Sequence, residues 1–224
     1  MSLRRLAVMG TLLLVGCAGD PPPPDWQVEA RTALDAFARY ELEGRRRLAE
    51  QAFERARRAL ARTGRAALLA RAELTRCALR VASLEFDPCV GFEALREDAP
   101  PAERAYADFL AGRWDRVDPA LLPAQYHAIL SAGAASAADE AALASIADPR
   151  SRLIAAGVLL RVERMSPAAI ALATETAADQ GWRRPLLAWL GVQAARAEAA
   201  GDVVRAAQLR RRVDLILGTA AKPR

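Results

Sequence analysis

Residues 148–202 carry the clearest structural signal in the sequence: DPRSRLIAAGVLLRVERMSPAAIALATETAADQGWRRPLLAWLGVQAARAEAAGD. Proline stands where a helix can begin in Asp148-Pro149, Ser166-Pro167 and Arg184-Pro185, twice after a capping side chain. The three prolines are 18 residues apart, and Gly201-Asp202 follows after a similar interval. This spacing predicts helices of about 15 residues, and two such helices form a unit of about 35 residues, the period of helical-hairpin repeats.

The composition favours an all-helical fold. Hydrophobic residues make up 53% of the 224-residue chain, which excludes an intrinsically disordered protein. Aromatic residues are only 5% of the chain, and the apolar residues are mostly Ala and Leu, a mixture that favours helices over strands. Apolar residues also recur at helical spacing, as in Ile154, Val158 and Val162. We therefore predict an all-α protein.

The rest of the folded part shows the same helical habit with less regular spacing. We divide it into irregular helical hairpins over residues 26–147 and regular helical-hairpin repeats over 148–217, followed by a flexible tail at 218–224. The predicted helices of the irregular part are 26–43, 46–62, 65–84, 89–97, 101–113, 123–135 and 138–147.

Small and aromatic residues in the first predicted hairpin follow a known pattern. Tyr40, Ala49, Phe53 and Ala56 have the tyrosine, small, aromatic, small spacing that resembles a tetratricopeptide repeat. Parts of the pattern recur in Ala105, Gly112 and Trp114, and in Ala194, Gly201-Asp202 and Ala206. The resemblance implies sequential antiparallel helical hairpins stacked into a right-handed α-solenoid.

The repeat pattern is degenerate in this chain. Ala33 stands where the family has tryptophan, Ala36-Phe37 replaces its Leu-Gly pair, and Ala61 replaces its closing proline. Pro119 and Pro123 interrupt the second helix of the middle copy. An irregular helical bundle is therefore the alternative to a tetratricopeptide-like array.

The N-terminus has the parts of an export signal. Arg4-Arg5 precede an apolar core at residues 6–15, which is too short to span a membrane. Leu14-Val15-Gly16-Cys17 resembles the lipobox of bacterial lipoproteins, which implies removal of residues 1–16 and lipidation of Cys17 with fatty acids such as palmitate. The alternative is an ordinary secretory signal with a chance cysteine.

Residues 17–25 are predicted to form a lipidated, proline-rich tether. Pro21 to Pro24 favour an extended polyproline spacer between the lipid and the folded part. In enterobacterial lipoproteins, aspartate directly after the lipidated cysteine favours inner-membrane retention, whereas this chain has Ala18 there. The resemblance therefore implies a lipid anchor on the periplasmic face of the outer membrane.

Two further cysteines, Cys77 and Cys89, suggest a structural disulfide. Export would place them in an oxidising compartment, and a helix that ends near Leu84 lets the chain past Pro88 return to the first cysteine. Two buried thiols and a redox pair are the alternatives, although redox pairs commonly have two intervening residues.

The sequence offers little for catalysis or for nucleic-acid binding. His127 is the single histidine, so we predict no metal site and no catalytic constellation, and no motif calls for a cofactor. The net charge of +5 includes Arg4 and Arg5, and no aromatic residue is interleaved with the basic run Arg210 to Arg212. We therefore expect a non-enzymatic protein without a nucleic-acid partner.

The combination of a lipid tether and helical hairpins predicts an interaction scaffold or adaptor in the periplasm. The resemblance to tetratricopeptide-like proteins implies a groove that receives a helix or extended segment of an envelope protein. Its expected walls are 153–163 and 185–198, with these arginines available for acidic partner residues: Arg161, Arg164, Arg183, Arg184 and Arg196. A peptidoglycan-acting enzyme or its regulator, and a purely structural lipoprotein, are the alternatives.

Overall fold

A computed structural model describes residues 22–131 and 136–219, and within these ranges the chain is helical without strands. The all-α prediction is therefore confirmed. The α-helices are α1 (Asp25–Leu42), α2 (Arg46–Ala61), α3 (Ala66–Ala82), α4 (Val90–Glu93), α5 (Pro101–Leu110), α6 (His127–Ser131), α7 (Ser136–Ser145), α8 (Pro149–Arg161), α9 (Pro167–Asp179), α10 (Arg183–Ala199) and α11 (Val203–Leu217). Three short 3₁₀ turns lie between α5 and α6, at Trp114–Arg116, Pro119–Leu121 and Ala124–Tyr126.

Several N- and C-terminal predictions fall outside the described residues. The signal sequence, the lipobox and the lipidated Cys17 all precede Pro22, where the described structure begins. The last residues of the predicted tail, 220–224, also lie outside it. In the described part of the chain, no helix is both long enough and apolar enough to cross a membrane.

The regular half begins its helices at the predicted caps, with one exception. The Asp148 carboxylate accepts a hydrogen bond from the Ser151 N–H at 2.8 Å, and the Ser166 hydroxyl accepts one from the Ala169 N–H at 3.0 Å. α10 instead begins at Arg183, two residues before Pro185. Pro185 fits there because N–H groups in a helix's first turn have no partner within the helix.

Two runs of consecutive antiparallel helices make up the framework. In the first run, α1 to α3, the rings of Phe37 and Phe53 pack with centroids 4.9 Å apart, and Ala49 and Ala56 are buried. In the second run, α8 to α11, the Gln193 amide of α10 donates to the Thr174 hydroxyl of α9 at 2.6 Å. Small buried residues thus let α1 and α2 approach closely, and a side-chain hydrogen bond joins α9 to α10.

The two runs meet through α3 and α8, which are far apart in the sequence. Val81 lies against Gly157, and Phe86, just after α3, lies against Arg161 at the end of α8, so the two helices run in the same direction. In a continuous array of antiparallel hairpins, each helix packs on its neighbours in the sequence. The contact between α3 and α8 departs from that order. The segment 83–148 connects them, with α4 and α5 packed on α3, and α7 packed on α8 and α9.

The connecting segment is held by a disulfide and an aromatic cluster. Cys77 of α3 and Cys89 lie at disulfide distance with their Cα atoms 5.8 Å apart, as predicted. The rings of Phe109 and Tyr126 pack with centroids 4.9 Å apart, and both residues are buried. These contacts tie α5 and the turn before α6 to the core that α3 and α8 share.

Candidate functional site

A groove with a partly apolar lining lies between α9, α10 and the first half of α11, and we call it the α9–α11 groove. Its volume is about 640 Å³. Ile170, Ala197 and Leu209 line it, one from each of the three helices, and Ile170 and Leu209 are themselves buried. The groove therefore depends on the antiparallel order of the regular half, because that order brings the three helices side by side.

Local sequence explains why a depression forms at this place. The end of α10 is rich in alanine, and Ala197, Ala199 and Ala200 all line the groove, so no large side chain fills the space. Gly201 then adopts a left-handed backbone conformation with φ 73°, which suits glycine and turns the chain. Asp202 caps α11 by accepting a hydrogen bond from the Arg205 N–H at 2.9 Å.

Two arginines stand at this groove without an acidic partner. Arg196 donates a hydrogen bond to the Met165 carbonyl at 3.1 Å, and Arg205 donates one to the Gln193 side-chain oxygen at 3.4 Å. Over residues 22–131 and 136–219, no carboxylate lies within ion-pair distance of either guanidinium. Both residues are exposed, so their charges are open to a ligand.

Two other arginines of α11 differ from Arg196 and Arg205 because they have acidic partners. Arg210 forms an ion pair with Glu198 at 2.5 Å, and Arg212 forms one with Glu175 at 3.3 Å. Local acidic residues therefore neutralise Arg210 and Arg212, while the lining of the groove has two guanidinium groups and one carboxylate, that of Asp202. The groove combines apolar surface with two open guanidinium groups, which is suited to a ligand that has both apolar and carboxylate groups.

The structure distributes the five arginines proposed from the sequence over separate places. Arg196 lines the α9–α11 groove, while Arg183 and Arg184 line a cleft beside Gly44. Arg161 lines a third pocket, next to the disulfide. The groove is thus built from α9, α10 and α11, whereas the expected walls were on α8 and α10.

Arg164 and Arg184 form ion pairs inside the fold. Arg164 pairs with Asp139, whose side chain is 1% exposed, at 2.5 Å. Arg184 pairs with both Glu41 and Glu85. Burial opposes the charge of Arg184, but hydrogen bonds and charge from the two carboxylates outweigh it and raise the pKa of the guanidinium. These two arginines connect parts of the core.

Arg205 is a groove residue that the sequence analysis did not select. It lies in the first turn of α11, three residues after the Asp202 cap. The predicted hairpin turn at Gly201-Asp202 brings the first helical turn of α11 beside the end of α10. This hairpin was the signal for Arg205 that the sequence contained. A search for basic residues just after predicted hairpin turns would have selected Arg205.

The described residues offer little for metal binding. In the ranges 22–131 and 136–219, no group of three or more His, Cys, Asp or Glu side chains could hold a metal ion. His127 uses its Nε2 atom in a contact with the Leu122 carbonyl at 3.0 Å. That contact lies within five residues of chain, so the imidazole helps to hold the turn that precedes α6.

Comparisons with known proteins provide no family assignment. No protein-family model matches this sequence, and no curated protein or solved structure shows significant similarity to it. The function must therefore be inferred from the residues of this chain alone.

Proposed function

We propose that this protein is a non-enzymatic lipoprotein of the cell envelope that acts as an interaction scaffold, and that the α9–α11 groove receives an acidic, amphipathic segment of a partner protein. One observation carries the proposal: Arg196 and Arg205 stand without carboxylate partners beside an apolar groove. Arg210 and Arg212 of α11 have such partners, whereas Arg211 has none among the described residues.

The chemistry of the groove indicates what such a segment would look like. Its apolar side chains would lie on Ile170, Ala197 and Leu209, where alanine-rich walls allow close approach. Glu or Asp side chains on the edge of the segment would reach the two guanidinium groups, which bind carboxylates with two parallel hydrogen bonds. Arginine is also among the residues that contribute most to binding energy at protein interfaces.

The proposed location follows from the N-terminal sequence. A lipidated Cys17 would anchor the chain to the periplasmic face of the outer membrane, with residues 17–25 as the tether. The first helix begins at Asp25, the last residue of this predicted tether. A tetratricopeptide-like adaptor role fits a tethered protein of this kind, because the anchor holds the groove close to other envelope proteins.

Crosslinking in living cells tests the scaffold proposal. A photo-crosslinking amino acid replaces Ala200, which is exposed and lines the groove without contributing charge. We expect a discrete protein adduct, and the double variant Arg196→Glu, Arg205→Glu should reduce its yield more than about tenfold, because both guanidinium groups become repulsive to an acidic partner. Adduct yield is read by immunoblot and the partner is identified by mass spectrometry.

Arg183→Glu provides the matched control for the crosslinking. This arginine is exposed on the same helix, forms no ion pair among the described residues, and lies at the opposite end of α10 from the groove. The control should retain the adduct. Equal yields from all variants would contradict the groove assignment, and absence of any adduct together with release of muropeptides by the purified protein would favour the peptidoglycan-acting enzyme instead.

Replacement of the lipobox cysteine tests the location separately. Cys17→Ser should abolish incorporation of labelled palmitate and leave an uncleaved or soluble protein, because the lipid is attached through the thiol. Ala18→Ser, next to it, should keep the label and the membrane fraction. Membrane fractionation with labelled palmitate still present in the Cys17→Ser protein would show that the lipobox assignment is wrong.

A further inference from the structure

A second pocket lies beside the disulfide, away from the α9–α11 groove. Its volume is about 330 Å³, and we call it the disulfide pocket. Residues after α3, on α5 and at the end of α8 line it, including Phe86, Cys89, Ala107, Leu110, Arg113 and Arg161. Its walls are therefore mainly apolar, with two guanidinium groups among them.

Arg161 has no acidic partner in this pocket. Its Nη1 atom donates one long hydrogen bond of 3.5 Å to the Leu110 carbonyl, and its guanidinium carbon lies 5.4 Å from the centre of the Phe86 ring. No carboxylate within the described ranges lies at ion-pair distance from it. Burial, and then the positive charge of Arg113, lower the pKa of Arg161, which is the direction expected for a cation without a counter-ion.

The other charged groups around the pocket bind one another. Arg113 donates two hydrogen bonds to the Asp108 carboxylate, at 3.0 and 2.6 Å. Glu93 is held by Arg96 through both of its oxygens, at 2.7 and 3.0 Å. Asp87 also lines the pocket but is exposed, and water screens its charge. The cation of this pocket that is left without a carboxylate is therefore Arg161, which is exposed, as Asp87 is.

We propose that the disulfide pocket binds a small organic carboxylate, with the acid group paired to Arg161 and an apolar body lying against Phe86 and Leu110. A guanidinium group without a counter-ion can bind a carboxylate through charge-assisted hydrogen bonds, which are stronger than neutral ones. The apolar walls provide the second half of the recognition, since ligand pockets commonly combine apolar surface with a few polar groups. This site shares no residue with the α9–α11 groove, so each can fail without the other.

Calorimetric titration of the full chain with three probes tests the proposal. Hexanoate carries both an acid group and an apolar body, hexanol lacks the charge, and sulfate lacks the apolar body. We expect hexanoate to bind at least about tenfold more tightly than either of the other probes, because a charge-assisted hydrogen bond is added to apolar burial. Equal affinity for hexanoate and hexanol would overturn the proposal, and equal affinity for hexanoate and sulfate would show an adventitious oxyanion site only.

Two variants link the binding to this pocket. Arg161→Gln removes the charge and should weaken hexanoate binding at least about tenfold, while Arg183→Gln, at an exposed arginine outside both sites, should leave it unchanged. Ala111→Leu keeps Arg161 but fills space at the lining of the pocket, and it should also abolish binding. If the Arg161→Gln protein loses its helical circular dichroism signal, the Ala111→Leu protein alone tests whether hexanoate binds in this pocket. Binding that survives in the folded variants would overturn the assignment.

Discussion

Arg184→Met is expected to lower the free energy of unfolding by about 3–5 kcal/mol. The Arg184 side chain is only 13% exposed, and it pairs with Glu41, which is 7% exposed, and with Glu85. Methionine has a similar length and keeps much of the apolar packing, but it leaves the Glu41 carboxylate buried without a counter-ion. The cost of that uncompensated buried charge accounts for most of the expected effect.

Arg183→Met is the matched control for this measurement. Arg183 is the preceding residue on α10, but it is exposed and forms no ion pair among the described residues, so its replacement should change the free energy of unfolding by no more than about 0.5 kcal/mol. Urea unfolding followed by circular dichroism at fixed pH gives both values. Similar losses in the two variants would contradict a buried ion pair, and Glu41→Gln in the Arg184→Met background should recover part of the loss.

Local signals in the sequence were enough to place most helices and the disulfide. Asp148 and Ser166 cap the helices that follow them by accepting hydrogen bonds from N–H groups three residues later. The capping pattern in the sequence therefore corresponds directly to a hydrogen bond in the structure. Cys77 and Cys89 are also close in sequence. Whether they meet depends only on where α3 ends and on how the short segment after it folds back. Predictions of this kind succeed because the deciding contacts lie within a few turns of chain.

Contacts between distant parts of the chain could not be predicted in the same way. Arg184 and Glu85 are 99 residues apart, and nothing in the spacing around either residue announces their pairing. The sequence therefore presented Arg184 as one of several arginines for a partner, whereas the structure places it in the core. The α9–α11 groove is intermediate, because its helices were predicted while its exact walls depend on how those helices pack.

The contact between α3 and α8 was also absent from the sequence-based expectation, and one glycine makes it possible. A Cβ atom built on Gly157 would lie 2.2 Å from the Val81 carbonyl oxygen and 2.9 Å from the Val81 carbonyl carbon. The backbones of the two helices therefore approach more closely at this point than any side chain permits. Read from sequence alone, Gly157 is an unfavourable residue in the middle of a helix.

Gly157→Ala is expected to destabilise the protein by about 1–3 kcal/mol, because the added methyl group must push α3 and α8 apart. The obstacle is backbone, which cannot rotate away as the end of a flexible side chain would. Helix propensity alone predicts the opposite sign, a gain of about 0.5–1 kcal/mol when alanine replaces glycine inside a helix. The sign of the measured change therefore distinguishes close helix packing from local preference.

Gly191→Ala provides the comparison that makes this sign informative. Gly191 also lies inside a helix, α10, but a Cβ atom built there meets nothing within 4 Å. The free energy of unfolding of this variant should rise by about 0.5–1 kcal/mol, since only the higher helix propensity of alanine acts there. Urea unfolding of the two variants beside the parent chain gives opposite shifts in the transition midpoint if α3 and α8 touch at Gly157. A gain in both variants would show that the two helices are not in contact, and the side-by-side arrangement of the two runs would then be wrong.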